Sequence, residues 1–170
     1  ISDLEVDQRE VNSKLYYVKY QIENSLDYIT IATTRPETML GDTAIAVNPK
    51  DKRYNNMVGK FALLPIVGRK LKILQDEYAD PKQGTGAVKI TPAHDFNDFD
   101  VGKRQKLKMI NIFTDEGKIN KNAPSKYIGL DRFEARKKIL QELSELQLLV
   151  KEENIKNKIP YGDRSNSIIE

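Results

Sequence analysis

His94, the only histidine of this 170-residue chain, stands in a stretch from Gly84 to Lys106, GTGAVKITPAHDFNDFDVGKRQK, that also carries Lys89, Thr91, Asp95 and Asp98. Ala87 to Thr91 reads as a short β-branched strand entered through Gly-X-Gly, and Pro92, which has no N–H to give a sheet, ends it. Asp95 is a good N-cap for a helix in which Phe96, Phe99 and Lys103 recur at roughly helical spacing, and Asp98 falls in its first turn near the positive end of the dipole. Strand, turn and helix start therefore gather Lys89, Thr91, Asp95 and Asp98. Such a set suits electrostatic work, since carboxylates hold a cation and an ammonium holds an anionic oxygen. Taken alone, Asp95 and Asp98 need be no more than a cap and a dipole partner, and a lone histidine is more often structural than catalytic. No second histidine and no cysteine exists to complete a His-based metal cluster.

A second stretch, TTRPETMLGDT from Thr33 to Thr43, repeats the arrangement. A strand from Tyr28 to Thr33 runs into a helix start in which Thr34 and Glu37 have capping-box spacing, Pro36 suits the first turn and Gly41 ends it. By itself this is equally a well-capped single turn.

The elements that must position these residues are mostly short strands. Tyr16, Val18, Tyr20 and Ile22 alternate with polar partners, and a turn over Asn24 to Asp27 makes a hairpin with the strand at Tyr28. Further strands are expected at Thr43 to Val47, Phe61 to Leu64, Leu71 to Leu74 and Met109 to Thr114, with one helical turn at Asp51 to Tyr54. A helix runs from Asp131 to about Gln147, with Phe133, Ile139, Leu140, Leu143 and Leu146 on its core face. The fold class expected is mainly β with peripheral helices (α+β), a barrel-like sheet of many short strands. At 170 residues one domain is expected over 1–170, with 1–10 and 158–170 as adjacent tether strands of a fragment cut from a larger protein.

Composition is that of a water-exposed globular chain: 39% hydrophobic, 31% charged, net charge +3. The absence of cysteine excludes disulfides, thiolate zinc sites and a cysteine nucleophile, and no apolar run is long enough to cross a membrane. Charge alone gives only weak support for nucleic-acid binding. No Walker loop, dinucleotide fingerprint or His-Glu-X-X-His motif occurs.

Together, TTRPETMLGDTAIAV and GTGAVKITPAHDFNDFDVGKR closely resemble the inserted editing domain of valyl-tRNA synthetases, whose isoleucyl and leucyl counterparts carry related motifs. Arg35, Glu37, Gly41-Asp42 and the His94-Asp95-X-Asn97-Asp98 run fit the valine version best. The resemblance implies hydrolysis of the ester in threonyl-tRNA(Val), without amino-acid activation. Choosing valine over threonine is the standard instance of a selection that an apolar pocket makes poorly, so a second site must reward the hydroxyl. It also implies the partners, the 3′-terminal adenosine of tRNA(Val) and the threonine moiety, a cytoplasmic setting and a monomer. No cofactor is implied for editing; ATP and Mg belong to the synthetase body that this stretch lacks.

Asp98 is the implied anchor of the substrate α-ammonium. Lys89 would hold an adenosine phosphate or ribose oxygen, or support the oxyanion; Thr38 would position water; and Asp95, Thr91 or Arg35 would read the hydroxyl. Pro36, Glu37, Asp80 and His94 complete the substrate-binding set. The competing readings are an isoleucyl- or leucyl-type editing domain, a metal-dependent hydrolase built on His94, Asp95 and Asp98, and a non-catalytic module that binds tRNA ends.

Overall fold

In the computed structural model the backbone is described for residues 6–162 and the side chains for residues 13–156. The chain divides into two compact units, residues 16–151 and residues 1–15 with 152–170. The tether strands expected at 1–10 and 158–170 fall on residues whose side chains, and at 1–5 and 163–170 also whose backbone, lie outside the described residues.

Among the described residues seven strands form two sheets. The first joins β1 (Val6–Gln21), β2 (Tyr28–Thr33) and β7 (Leu149–Gly162) in the order β2-β1-β7. β1 and β2 make the expected antiparallel hairpin, Tyr16 opposite Thr33 and Gln21 opposite Tyr28, with Asn24 taking a positive φ of 57° in the turn. The second sheet joins β3 (Ala44–Val47), β4 (Phe61–Leu63), β5 (Lys70–Gln75) and β6 (Val88–Ile90) in the order β4-β5-β3-β6. Here β3 is parallel to β5, while β3–β6 and β4–β5 are antiparallel. The mainly β architecture with peripheral helices is as expected, but the strands do not roll into a barrel: among the described residues they form two open sheets. Continuous pairing is interrupted beyond β6, at Pro92, which lacks a donor, and where Ala62 of three-residue β4 meets Ile22, just past the end of β1, through an isolated bridge.

β3 is the central strand, and all four of its residues are buried. Its period-2 alternation sends Ile45 and Val47 into the larger core, with Val18, Tyr20, Ile31, Leu71 and Ile73, and sends Ala44 and Ala46 into a smaller one with Ile90 and Val101. Val101 belongs to α1 (Phe96–Arg104), which lies against this second face. The sheet residues there are alanines, so the helix can come close.

The helix α2 (Arg132–Glu145) starts on the expected cap: the Asp131 carboxylate accepts from the N–H groups of Phe133 and Glu134, at 2.8 Å each. Its core face differs from the one expected. Ala135, Ile139 and Leu143, spaced by four, are buried, whereas Phe133 is 63% and Leu146 53% exposed. The small Ala135 lets the helix seat, and the apolar residues at its two ends project past the core.

Two further expectations are corrected. Met109 to Thr114 is not a strand, because its N–H groups find partners outside a ladder: Ile112 donates to His94 and Phe113 to its neighbour Asn111, leaving one isolated bridge from Phe113 to Ile119. The turn Pro36–Gly41 is a 3-10 helix capped by Arg35 without any side-chain bond, so the Thr34–Glu37 capping box does not form. Glu37 is instead fully buried and grips Arg136 of α2 through both oxygens, at 2.8 and 2.9 Å. A bidentate charged pair outcompetes a single backbone donor for that carboxylate.

The seat of α1 also rests on Gly102. A Cβ there would lie 2.7 and 2.9 Å from Pro92 Cβ and Cγ, a ring that cannot swing aside. Gly102→Ala should therefore cost about 1–3 kcal/mol despite alanine's better helix propensity, as read by the denaturant midpoint of the chain. A midpoint equal to or above that of the parent would show that the helix does not bear on Pro92.

Candidate functional site

The period-2 alternation that buries Ile90 and packs the partly buried Val88 on the α1 side sends Lys89 and Thr91 to the other side of β6, toward β1 and the Asp42 turn. There Lys89 Nζ donates to Asp42 Oδ1 at 2.8 Å, and Thr91 Oγ1 donates to the same oxygen at 2.6 Å. Tyr20 OH donates to Asp42 Oδ2 at 2.7 Å, and Lys89 Nζ also reaches Thr91 Oγ1 at 2.5 Å. Asp42 is wholly buried, and Lys89 and Tyr20 nearly or completely so. Burial pushes the Asp42 carboxyl above its usual range, while Lys89, Thr91 and Tyr20 pull against it. Burial and the Asp42 charge keep the Tyr20 phenol protonated well above its usual value, so it remains a donor. The Asp42 backbone is held too, because Arg69 Nη1 donates to its carbonyl at 2.6 Å.

Gly41 is needed here for close approach rather than for turn geometry. A Cβ would stand 3.0 Å from the Ile110 carbonyl oxygen, 3.2 Å from Thr91 Cγ2 and 3.4 Å from His94 Cδ2. The two sequence stretches thus meet face to face.

On the far side of Thr91 lies Asp98. As expected, Asp95 caps α1, its Oδ1 accepting from the N–H groups of Asn97 at 2.8 Å and Asp98 at 3.1 Å, while its Oδ2 accepts no hydrogen bond among the described residues. Asp98, only 5% exposed, takes the Thr91 N–H on Oδ2 and the Tyr78 hydroxyl on Oδ1, both at 2.9 Å. Burial raises its carboxyl to about 6, reinforced by Asp95 and opposed by the Thr91 N–H, Lys89 and Tyr78. Both oxygens keep unused lone pairs. The helix-dipole role assigned to a first-turn aspartate is therefore joined by a defined, nearly buried acceptor.

His94 is committed elsewhere. Its Nε2 accepts the Ile112 N–H at 2.9 Å, which places the ring proton on Nδ1, and the ring meets Phe113 edge-on at 4.9 Å. Burial, then Arg35, Lys89 and Arg132, lower it to about 4, so it is neutral at pH 7. Among the described residues no group of three His, Cys, Asp or Glu side chains is arranged to hold a metal ion.

The remaining predicted residues separate into two sets. Arg35 is half-buried and donates from Nη1 to the His94 carbonyl at 3.0 Å, tying the first stretch to the second. Thr38, buried, donates its hydroxyl to the Arg35 carbonyl at 2.9 Å, and Pro36 opens the same 3-10 turn. Glu37 faces inward, to Arg136 and, at 3.9 Å, Arg35. Asp80 is exposed and accepts the Lys82 N–H at 2.9 Å in a loop turn.

Sequence reasoning missed Asp42, Tyr20, Tyr78 and Arg136 as members of this network. Two signals were available. A tyrosine at a core-facing strand position, between Val18 and Ile22, needs a partner for its hydroxyl, and a lysine between Val88 and Ile90 needs a counter-ion.

The family model described as "Leucyl-tRNA synthetase, editing domain" matches residues 50–138, just over half of the chain. The whole chain is 74% identical to part of the valine--tRNA ligase of Pelagibacter ubique and 54% identical to part of that of Thermotoga maritima, over 170 residues in each case. It spans about a fifth of the length of these curated relatives, 19% and 20% respectively. Among solved structures, a leucyl enzyme in a ternary complex from Agrobacterium radiobacter K84, "LeuRS-tRNA-LeuAMS", aligns with a TM-score of 0.64 at 20% identity, over 88% of this chain and 20% of that one. The isolated "GlLeuRS-CP1" aligns with a TM-score of 0.63 at 12% identity, over 81% of this chain and 98% of that one. These two likenesses concern the fold alone. No helix among the described residues is long and apolar enough to cross a membrane. By its family match, its fold and its whole-length likeness to valine--tRNA ligases, this chain belongs to the family of aminoacyl-tRNA synthetase editing domains.

Proposed function

We propose that this domain hydrolyses the ester of threonyl-tRNA(Val), releasing threonine and tRNA. The observation that carries the reading is Asp98, a nearly buried carboxylate with both oxygens fixed and lone pairs to spare, beside the Lys89 cation. A free α-ammonium is common to every aminoacyl ester, and a desolvated carboxylate is its natural partner. At pH 7 a carboxyl raised to about 6 is ionised in roughly nine molecules of ten.

Asp98 holds the ammonium and so fixes the ester carbonyl beside it. A water oxygen bonds to the carbonyl carbon, the bond from that carbon to the ribose oxygen breaks, and the ribose oxygen leaves with a proton from the water. An activated ester needs little beyond this placement and support for the developing oxyanion, so no serine nucleophile is required. Thr38 is assigned to water placement, and Lys89 to the oxyanion or to an oxygen of the terminal adenosine. The adenine, unstacked, needs an aromatic face, which Phe96 offers at 87% exposure beside the Asp95 cap.

For the threonine hydroxyl, Asp95 is favoured over Thr91, because the Thr91 hydroxyl is already shared between Asp42 and Lys89 whereas Asp95 Oδ2 is open. His94 is assigned to shaping the pocket wall rather than to metal binding, since its Nε2 is filled by the Ile112 N–H.

Four outcomes test the reading. Asp98→Ala should abolish deacylation of threonyl and valyl esters alike, a loss of about a hundredfold or more for a misplaced carbonyl. In the unaltered domain kcat/KM should fall as pH drops through about 6, where Asp98 takes its proton. The fold is not what fails there: a carboxyl raised on folding stabilises most below its unfolded range, near 4, and loses that contribution only as pH rises through about 6. His94, depressed to about 4, works oppositely, its contribution being complete above about 6.5 and lost as pH falls toward 4. Near pH 5 a folded but sluggish domain is thus expected, by circular dichroism beside a deacylation assay; a pH-independent rate would remove Asp98 from the site.

Asp95→Ala should lower the ratio of threonyl to valyl hydrolysis. An acceptor that the substrate covers and that is left unpaired when valine enters costs about 1–3 kcal/mol, and the ratio is insensitive to the loss of the helix cap. An unchanged ratio would move the hydroxyl contact to Arg35.

Lys89→Met should both slow hydrolysis and destabilise the fold by about 3–5 kcal/mol, because it strands the buried Asp42 charge. The double variant Lys89→Met with Asp42→Asn should regain most of the stability, measured by urea unfolding, without regaining the rate. Recovery of both would reduce Lys89 to a structural ion.

A further inference from the structure

The loop after β5 is tied to both ends of α1. Asp76, nearly buried, accepts from Arg104 Nε at 3.2 Å, Arg104 Nη2 at 2.9 Å and Gln105 Nε2 at 3.1 Å at the C-terminal end of the helix. The same carboxylate accepts the Tyr78 N–H at 2.9 Å, and Asn48 Nδ2 holds the neighbouring Ala79 carbonyl at 2.9 Å. The Tyr78 backbone is therefore fixed, and its hydroxyl is delivered to Asp98 Oδ1 at the helix's other end. Its ring remains 37% exposed, lying at the surface over a carboxylate that is itself almost covered.

A carboxylate held by one donor can turn about its last torsion, which is broad and roughly two-fold for aspartate. Held by Thr91 N–H on one oxygen and Tyr78 OH on the other, the Asp98 group has its plane set. We propose that Tyr78 is a positioning residue of the deacylation site, fixing the Asp98 carboxylate in the orientation that receives the substrate ammonium. The inference rests on the reading of Asp98 as that anchor.

The groups facing Asp98 are the Tyr78 hydroxyl from the loop, the Thr91 N–H and the Lys89 ammonium from β6 and its end, and Asp95 from the helix cap. Of these, Tyr78, Thr91 and Lys89 favour the charged form and Asp95 disfavours it, against a background of burial. Burial, then the Asp98 charge, raises the Tyr78 phenol above its usual value, so it stays a donor across the working range. Removing the hydroxyl should loosen the carboxylate and shift its titration upward.

Tyr78→Phe removes only that hydroxyl and leaves the ring in place. Deacylation of threonyl-tRNA(Val) by the chain should fall about tenfold in kcat/KM near pH 6.5, the scale of one charge-assisted hydrogen bond. The acid limb of the kcat/KM profile should move to higher pH, and the deficit should narrow toward pH 8, where Asp98 is ionised in both forms. A uniform loss at every pH with an unmoved acid limb would mark a merely loosened loop and overturn the proposal. Asp98→Asn in the same assay separates the two possible failures. If it is inactive while Tyr78→Phe matches the parent in rate and profile, only the role of Tyr78 falls; if Asp98→Asn keeps the parent rate, the anchoring reading falls and takes this inference with it.

Discussion

The Asp42 carboxylate is the point at which the domain's strands and its two sequence motifs are locked together. Tyr20 from β1, Lys89 from β6 and Thr91 from the β6 end all donate to it, and none of the four is open to solvent. An isolated charge at such a depth is strongly disfavoured, and so is an isolated ammonium; each is tolerable only with the other in hydrogen-bonding geometry. That mutual requirement fixes where β6 lies relative to the Asp42 turn to within the tolerance of a hydrogen bond. A buried pair adds little net stability over apolar residues of similar volume, so its effect lies in specifying one arrangement of the two motifs.

Other polar residues near the site are spent on the same kind of locking. Glu37 fastens the 3-10 turn to α2 through Arg136, Arg35 fastens it to the His94 carbonyl, and His94 stands in for a strand partner by accepting the Ile112 N–H. Gly41 lets these pieces approach to van der Waals distance. Among the described residues, Asp98 keeps lone pairs beyond its two hydrogen bonds and Asp95 Oδ2 accepts none. The two neighbouring carboxylates, Asp95 and Asp98, make a place that attracts an ammonium and repels a bare phosphate.

The position of Asp98 also reconciles two demands that conflict. A carboxylate binds an ammonium more strongly when shielded from water, yet shielding raises its affinity for a proton. The Thr91 N–H, Lys89 and Tyr78 offset part of that rise, leaving the group mostly charged at neutral pH. The helix start contributes as well, since Asp98 sits in the first turn of α1 where the dipole favours a negative charge.

The sequence by itself determined the local features. The alternation of Tyr16, Val18, Tyr20 and Ile22 is borne out as a half-buried strand, Asp95 and Asp131 are the N-caps, and Pro92 ends β6. These depend on backbone geometry and on residues a few positions apart, which spacing encodes directly. The pairing of Thr33–Thr43 with Gly84–Lys106 was legible through family resemblance, and their contact through Arg35, His94, Asp42 and Lys89 agrees with it. Tertiary structure alone decided which acids face inward. Glu37 had a partner at capping-box distance in sequence and took Arg136 instead; Met109 to Thr114 had strand composition, but its Ile112 and Phe113 N–H groups found side-chain partners; and α2 presents Ala135 to the core rather than Phe133. That the strands form two open sheets rather than a barrel was likewise invisible, because pairing between short strands depends on register and edges set by distant segments. The reason is common to all of these: the competitor that wins a polar group or a buried face is chosen by three-dimensional proximity, and for Glu37 and Arg136 that competitor stands 99 residues away.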